Sequence, residues 1–171
     1  MKQIFFMSLF SFFLFQSAFA KTGVANMIGT SPESKVTGSI KFEETKQGLK
    51  IEALIQNVPT GDKGFHIHEF GDCGDLGKKA GGHYNPQNHA HGNAIKNGVH
   101  KAHAGDLGNI TINSDGTGTL TTTIKNLSLS GGKFSVGGRA VILHEKTDDF
   151  SQPTGNAGAR IGCAPIIITG N

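Results

Sequence analysis

The heptapeptide GFHIHEF at residues 64–70 combines a strand-like alternation with two closely spaced histidines. Residues two apart in an extended strand point to the same face, so His66 and His68 share one face and Phe65 and Ile67 share the other. The pattern predicts a strand with an apolar face toward a core and an imidazole face suited to one shared metal ion. A purely structural role for the two histidines is the alternative.

Outward from this stretch, short segments of alternating or β-branched residues recur, separated by turns rich in Gly, Pro and Asn. No long segment has helical periodicity. The pattern predicts an all-β protein, an antiparallel sandwich or barrel, with a single domain over residues 21–171. The predicted strands cover residues 36–44, 49–58, 64–70, 109–113, 117–124, 139–145 and 159–168.

Two polar segments, residues 71–105 and residues 146–158, are too long for hairpin loops. Long loops on a β scaffold commonly carry function. The first loop holds five of the eight histidines of the chain. They are His83, His89, His91, His100 and His103.

The motif His103-Ala-Gly-Asp106 places a carboxylate near a histidine, because a turn at Gly105 can fold Asp106 back toward the same ion. Three imidazoles with one carboxylate are typical of a closed structural zinc site. The strand histidines together with His144 form a set without a carboxylate, which favours copper. A loose metal-scavenging loop without fixed geometry is the alternative to two defined sites.

The first twenty residues predict a signal peptide that is removed on export. Lys2 precedes an apolar segment at residues 4–15, and Ala18-Phe19-Ala20 fits a signal-peptidase site. The apolar segment is too short to span a bilayer stably, so we expect an exported protein without a membrane anchor.

Two cysteines, Cys73 and Cys163, are expected to form a disulfide in an oxidising compartment. A thiolate metal site is the alternative, and the absence of a CxxC spacing argues against it. The net charge of +3 comes with scattered lysines and no arginine-rich run, so nucleic-acid binding is not supported.

Five motifs follow one another along the chain: GFHIHEFGD, GGHYNP, HAGDLGN, HEKTDD and GNAGARIGC. Together they resemble the copper,zinc superoxide dismutases over nearly the whole mature chain. The short interval from His68 to Cys73 resembles the bacterial periplasmic type of that family. The resemblance implies a Greek-key β-barrel or flattened sandwich of about eight antiparallel strands with two long functional loops.

The resemblance also implies one copper and one zinc ion per subunit and a role for each motif residue. His83 would be shared by both metals and would collect a proton during catalysis, and Arg160 would dock the anionic substrate beside the copper. Asp148 would link a copper histidine to a zinc histidine, and Cys73 would pair with Cys163. The implied copper ligands are His66, His68, His83 and His144, and the implied zinc ligands are His83, His91, His103 and Asp106.

The implied function is dismutation of superoxide to oxygen and hydrogen peroxide by a copper ion that is alternately reduced and reoxidised. The expected setting is antioxidant defence in the periplasm, by a homodimer with no membrane anchor and no nucleic-acid partner. A metal buffer and a catalytically silent domain of the same fold are the rival classes.

Two features depart from the family pattern. His89 and His100 match no ligand of the family and are expected to be plain loop residues, with weak metal capture as the alternative. The segment FSQPTGNAG at residues 150–158 lacks the charged residues that guide the substrate in relatives. We hypothesise that Lys78 and Lys79 supply the positive charge instead.

Overall fold

The computed structural model describes residues 20–170, so the predicted signal segment lies outside the described residues except for Ala20. Within residues 20–170, no helix has the length and apolar character needed to cross a membrane. The strands are β1 (Thr22–Gly29), β2 (Thr37–Thr45), β3 (Gly48–Gln56), β4 (Gly61–His68), β5 (Asp106–Ile112), β6 (Gly118–Ile124), β7 (Ala140–His144), β8 (Arg160–Pro165) and β9 (Ile167–Gly170), with a 3₁₀ turn at Lys78–Ala80 and a short helix, α1, at Ala94–Asn97.

Eight of the strands close into an antiparallel barrel. The order around the sheet is β2-β3-β6-β5-β4-β7-β8-β1, and a β1–β2 pairing completes the ring. The ninth strand, β9, pairs with β1 as an extra strand. Closure pairs each of the eight strands on both sides, so none of them is left as an edge strand. The predicted all-β barrel is confirmed, with one strand more than the expected eight.

Strand β1 lies outside the strands predicted from the sequence. The buried positions of β1 are Gly23, Ala25 and Met27, and both glycine and alanine have weak strand preference. Close packing explains the glycine, since a Cβ at Gly23 would lie 2.9 Å from the Leu129 side chain. The segment predicted as one strand at residues 159–168 is instead two strands, β8 and β9.

The two faces of β4 have different roles. Phe65 and Ile67 belong to the main hydrophobic core, as do Val141 and Leu143 of the neighbouring β7. The alternate residues of both strands face the opposite side, where the first long loop covers the barrel wall. A small apolar cluster on that side contains Ala80, Ala140, Ile142 and Cys163, with Cys73 packed against it.

The first long loop is tied to the barrel at two places. The disulfide between Cys73 and Cys163, with 5.8 Å between the Cα atoms, joins it to β8 and confirms the predicted pairing. Backbone bonds also hold both limbs of the loop beside β4: Tyr84 N donates to Ile67 O (2.9 Å) and Ile67 N donates to Gly105 O (2.8 Å). The loop is therefore a fixed cover over the outer face of β4.

Candidate metal centre

The outer face of β4 and β7 carries three of the histidines singled out by the sequence. His66 pairs with Ile142 and His68 pairs with Ala140 across the two strands, so these residues and His144 share one face. The Nε2 atoms of His68 and His144 lie 3.4 Å apart. All three side chains are buried, which is unusual for ionisable groups without a binding role.

The covering loop brings His83 to the same place. An isolated bridge joins His83 to His68, and the adjacent Tyr84 is bonded to Ile67 as described above. The His83 and His66 ring centroids lie 4.1 Å apart. Four histidines consequently offer ring nitrogens within 4.8 Å of one another, and we call them the wall group. The wall group consists of His66, His68, His83 and His144.

Hydrogen bonds fix which nitrogen of each wall histidine is free to bind an ion. His68 Nδ1 contacts Gly81 O (2.9 Å) and His144 Nδ1 contacts Gly158 O (3.3 Å), which leaves Nε2 free in both. His66 has the opposite arrangement, because its Nε2 is bonded to Asp148 Oδ2 at 2.9 Å. A carbonyl or carboxylate partner on the remote nitrogen is the usual support of a metal-binding histidine.

A second set of four residues surrounds the carboxylate of Asp106, and we call it the loop group. His83 Nδ1 lies 2.8 Å and His103 Nδ1 3.2 Å from Asp106 Oδ1. His91 Nδ1 lies 2.9 Å from Asp106 Oδ2. The ligand atoms again lie within 4.8 Å of one another. The loop group consists of His83, His91, His103 and Asp106.

His83 is the one residue that the wall group and the loop group share. Its Nδ1 lies with Asp106, so Nε2 is the atom available to the wall group. One imidazole can therefore contact two ions at once, one through each ring nitrogen.

The backbone around Asp106 is held by close packing and by hydrogen bonds to the carboxylate. Asp106 Oδ2 accepts from Gly92 N (2.8 Å) and from His103 N (3.1 Å). The expected turn is present, because Asp106 N donates to His103 O. Gly105 is needed for a further reason, since a Cβ there would overlap the carbonyl oxygen of Ile67.

Asp148 connects the two groups. Its Oδ2 accepts from His66 Nε2 and its Oδ1 lies 2.9 Å from His91 Nε2. Sequence reasoning missed the partner of this aspartate, Asn109, which exchanges two hydrogen bonds with the Asp148 backbone. It also missed Gly155, where a Cβ would overlap Asp148 Oδ1. A polar residue in a strand next to the site is the only signal that the sequence offered for Asn109.

Burial keeps His68, His83 and His144 of the wall group neutral. Desolvation, with repulsion from His83, lowers the pKa of His68 to about 2. Desolvation, with electrostatic repulsion from His66, lowers the pKa of His144 to about 3. Desolvation also lowers the pKa of His83 to about 4, although its bond to Asp106 opposes the shift. Neutral imidazoles are the form that binds metal ions.

The pKa values of the two buried carboxylates are set by hydrogen bonds rather than by burial. Desolvation favours the neutral acid, yet hydrogen bonds from histidines hold the pKa values of Asp106 and Asp148 well below the usual range. Desolvation likewise opposes the charged form of His91, but contacts with the same two carboxylates raise its pKa to about 9. Asp106 is therefore ionised, and a cation bound at the loop group would displace the proton that His91 holds.

Arg160 begins β8 beside the wall group. Its Nη1 donates to Gly77 O and its Nη2 to Gly81 O, both at 2.6 Å. Gly81 O also contacts His68 Nδ1, so one carbonyl fixes both side chains. Arg160 and Lys78 line the same surface cleft of about 450 Å³. Lys79 is exposed next to Lys78 on the 3₁₀ turn.

Three loop residues stay outside both groups. Asp149 is exposed and accepts from Ser151 N (2.9 Å), so it is a solvated loop acid. His89 is half-buried and His100 is exposed, and neither belongs to a metal-type group among residues 20–170.

Two orphaned atoms test whether the groups suit metal ions. His66 Nδ1 and His91 Nδ1 are buried and have no hydrogen-bond partner within the described part of the chain. His91 Nδ1 is close to Asp106 Oδ2 but without the geometry of a hydrogen bond. A buried polar atom without a partner is costly, and one ion in each group would satisfy one of them. The residues therefore fit a histidine-only ion site and an adjoining three-histidine, one-carboxylate site.

Comparison with known proteins adds sequence relatives to this geometry. Residues 36–166 match the family described as Copper/zinc superoxide dismutase (SODC). An extracellular superoxide dismutase (Cu-Zn) of Caenorhabditis elegans is 39% identical over 140 residues, which cover 78% of this chain and 62% of that protein. A superoxide dismutase (Cu-Zn) of Onchocerca volvulus is 34% identical over 155 residues, which cover 84% of this chain and 96% of the Onchocerca protein.

A plant protein and a solved structure are also similar. Superoxide dismutase (Cu-Zn) 3 of Arabidopsis thaliana is 37% identical over 142 residues, 78% of this chain and 84% of the plant protein. The crystal structure of the clock protein EA4 superposes with a TM-score of 0.77 at 34% identity, covering 90% of this chain and 98% of the other.

Proposed function

The chain belongs to the copper/zinc superoxide dismutase family, an oxidoreductase family that uses copper and zinc, and from this premise we propose that it dismutates superoxide. The observation that carries the proposal is the shared His83, which joins a histidine-only group to a group with a carboxylate. A metal buffer would need the histidines but not a residue common to two sites.

We assign copper to the wall group and zinc to the loop group. Ring nitrogens alone suit an ion that changes oxidation state, and three imidazoles with one carboxylate suit a structural zinc ion. When bound, the copper ion supplies one-electron transfer in both directions, so that two superoxide anions and two protons give oxygen and hydrogen peroxide.

The side chains of the protein deliver a proton and hold the metal-binding histidines in position. His83 Nε2 faces the wall group, so a proton held at this atom lies where the reduced oxygen species must be protonated. Its other nitrogen stays fixed by the loop group, which keeps the ring in place while Nε2 gains and loses the proton. Asp148 prevents rotation of both His66 and His91 by holding their remote nitrogens.

Arg160 provides a fixed positive charge for the anion. Its two bonds to Gly77 and Gly81 leave further guanidinium N–H groups for the substrate. Because Gly81 also orients His68, the docking charge and the wall group are held at a constant separation. Lys78, on the same cleft, is placed to attract the anion over a longer range.

The decisive experiment measures superoxide consumption by the protein loaded with one copper and one zinc ion. We expect rapid turnover for the unchanged protein, and a rate at least about tenfold lower for Arg160→Gln with both metals still bound, since a charged hydrogen bond contributes roughly 1.5–3 kcal/mol. Lys101→Gln, an exposed lysine of the first long loop that does not line the cleft, is the control and should keep the rate. Full metal loading without superoxide turnover would instead support a metal buffer.

We further propose that the protein is exported and acts in a bacterial periplasm, with residues 21–171 as the mature domain. The sequence of the first twenty residues and the extracellular relatives support export. The N-terminal sequence of the protein recovered from a periplasmic fraction tests the proposal. A chain that keeps Met1, or that stays with the cytoplasmic fraction, would contradict it.

A homodimer is the proposed assembly. Large apolar side chains such as Phe70, Leu76 and Ile167 are more than half exposed and offer surface for a partner. Sedimentation equilibrium of the metal-loaded protein decides the question, because a monomer mass at micromolar concentration would exclude a stable dimer.

A further inference from the structure

His89 and His100, which neither metal group uses, converge on one acceptor. His89 Nε2 lies 3.2 Å from Gln87 Oε1, and His100 Nδ1 lies 3.1 Å from the same atom. His89 is half-buried and His100 is exposed, so both can be reached from solvent. We propose that Gln87, His89 and His100 form a third metal site, on the surface, for a divalent zinc or copper ion.

The His89 backbone and the His100 ring are held in place before an ion arrives. His89 N donates to Asn85 Oδ1 (3.0 Å), and Asn85 Nδ2 donates back to His89 O (2.9 Å). The His100 ring packs edge-on against Phe134, with centroids 5.1 Å apart. Exposed histidines usually lose side-chain entropy when they bind an ion, and these contacts reduce that loss.

The donor atoms suit zinc and copper. Imidazole nitrogen is a preferred ligand of both ions, and the amide oxygen of Gln87 completes a three-atom site with positions left for water. The two ring nitrogens now share Oε1 as an acceptor, so each must move its proton to its other ring nitrogen before it binds the ion. No proton is released in that exchange.

His100 has a partner for the displaced proton. Its Nε2 lies 3.2 Å from the side-chain amide of Asn126. A half-turn of that amide presents Oδ1 to an Nε2–H, which is the support that a metal-binding histidine normally receives. Asn126 therefore becomes a positioning residue of the site rather than a ligand.

The test uses protein whose two main sites already hold copper and zinc. This protein is dialysed against zinc at rising free concentration, and bound metal is counted by mass spectrometry. We expect a third equivalent at micromolar free zinc. The double variant His89→Asn, His100→Asn should bind that equivalent at least tenfold more weakly, whereas the matched control Lys96→Ala, Lys101→Ala should bind it unchanged.

A variant that binds the third ion more tightly cannot be explained by misfolding, so it complements the loss seen in the double variant. Asn126→Asp places a carboxylate on His100 Nε2–H and should tighten the third equivalent about tenfold. A parallel arm with Cu²⁺ should add a second paramagnetic signal that the double variant lacks, and comparison of the arms identifies the preferred ion.

Two outcomes would overturn the third site: no third equivalent of either ion in the unchanged protein up to millimolar metal, or equal uptake by the double variant. Neither measurement reads superoxide turnover. Failure of the third site therefore leaves the proposed dismutase activity intact, and a protein without that activity can still show the third site.

Discussion

The two metal groups meet at His83 but are built in different ways. The wall group takes three of its histidines from strands β4 and β7, where pairing of His66 with Ile142 and His68 with Ala140 sets their spacing. The loop group takes its residues from the first long loop and the first residue of β5. Its geometry depends on the bonds that Asp106 accepts and on the close approach of the loop to β4.

This difference predicts unequal sensitivity to mutation. A strand register is fixed by many backbone bonds, and a one-residue slip would move every side chain to the wrong face. The loop has fewer such bonds, so single changes can release it. Disturbing the loop should therefore remove zinc first and leave copper binding by the strand histidines partly intact.

Removal of the disulfide is the largest single disturbance of the loop and should have the largest effect on stability. In the variant Cys73→Ser, Cys163→Ser the loop loses its covalent tie to β8 across a separation of 90 residues. We expect the free energy of unfolding to fall by about 4–5 kcal/mol from chain entropy. Guanidinium unfolding at a fixed metal concentration measures the change. A loss below about 1 kcal/mol would mean that packing of Ala80 on the wall holds the loop without the disulfide.

The variant Gly105→Ala disturbs the second tie of the loop, its backbone contact with β4. The new methyl group would overlap Ile67 O, so the loop must move away from β4. We expect a loss of about 3 kcal/mol in stability, as for an overpacked core position, and a preferential loss of zinc. Gly82→Ala is the matched control, since a Cβ there meets no atom closer than 3.6 Å. Equal zinc loss in both variants would contradict the close-approach argument. Thermal unfolding and metal counts measure both effects.

The variant Asp106→Asn tests whether the charge of the loop group affects zinc binding without affecting copper binding by the wall group. The substitution keeps the shape of the side chain but removes the charge on which three histidines converge. Zinc affinity should fall on the order of 100-fold, and copper should still bind to the wall histidines. Competition with a zinc chelator measures the loss, and Asp75→Asn, an exposed acid in the same loop, should leave the affinity unchanged. Parallel loss of copper and zinc would show that the groups do not respond separately.

The sequence predicted the barrel and the strand-borne part of the site better than it predicted the loop contacts. Alternation in GFHIHEF places Phe65 in the core and His66 opposite it, because strand periodicity is a local property. β1 escaped notice because two of its buried residues, Gly23 and Ala25, have weak strand preference. The reason for the glycine, its contact with Leu129, lies far away in the sequence.

Apart from the link through Asp148, the contacts that orient the histidines could not be predicted from the sequence. Gly81 O joins His68 to Arg160, and Asn109 holds the Asp148 backbone. Both depend on backbone positions in long loops, which no periodicity encodes. The assignments of copper, zinc and Arg160 stay predictions that rest on motifs and on geometry.

Asp148→Asn tests the link between the groups. One carboxylate oxygen would become an amide that cannot accept from a histidine, so either His66 or His91 loses its fixed orientation. We expect zinc or copper affinity to fall about 10- to 100-fold, without unfolding. Asp149→Asn, the exposed neighbour, is the control. Metal competition assays on both variants give the comparison, and identical affinities would remove Asp148 from the site.

Charge on the loop should have the smallest effect, and it acts on encounter rather than on binding of metals. Lys78 and Lys79 are exposed on the 3₁₀ turn, and Lys78 shares a cleft with Arg160. Neutralising both, as Lys78→Gln, Lys79→Gln, should slow superoxide consumption a few-fold at low ionic strength and flatten its salt dependence, because salt already screens charges beyond about 10 Å at 0.1 M. Lys41→Gln, Lys50→Gln on β2 and β3 removes the same charge from strands that do not neighbour β4 or β7. If both double variants respond alike, net charge rather than the position of the lysines sets the rate, and the loop has no guiding role.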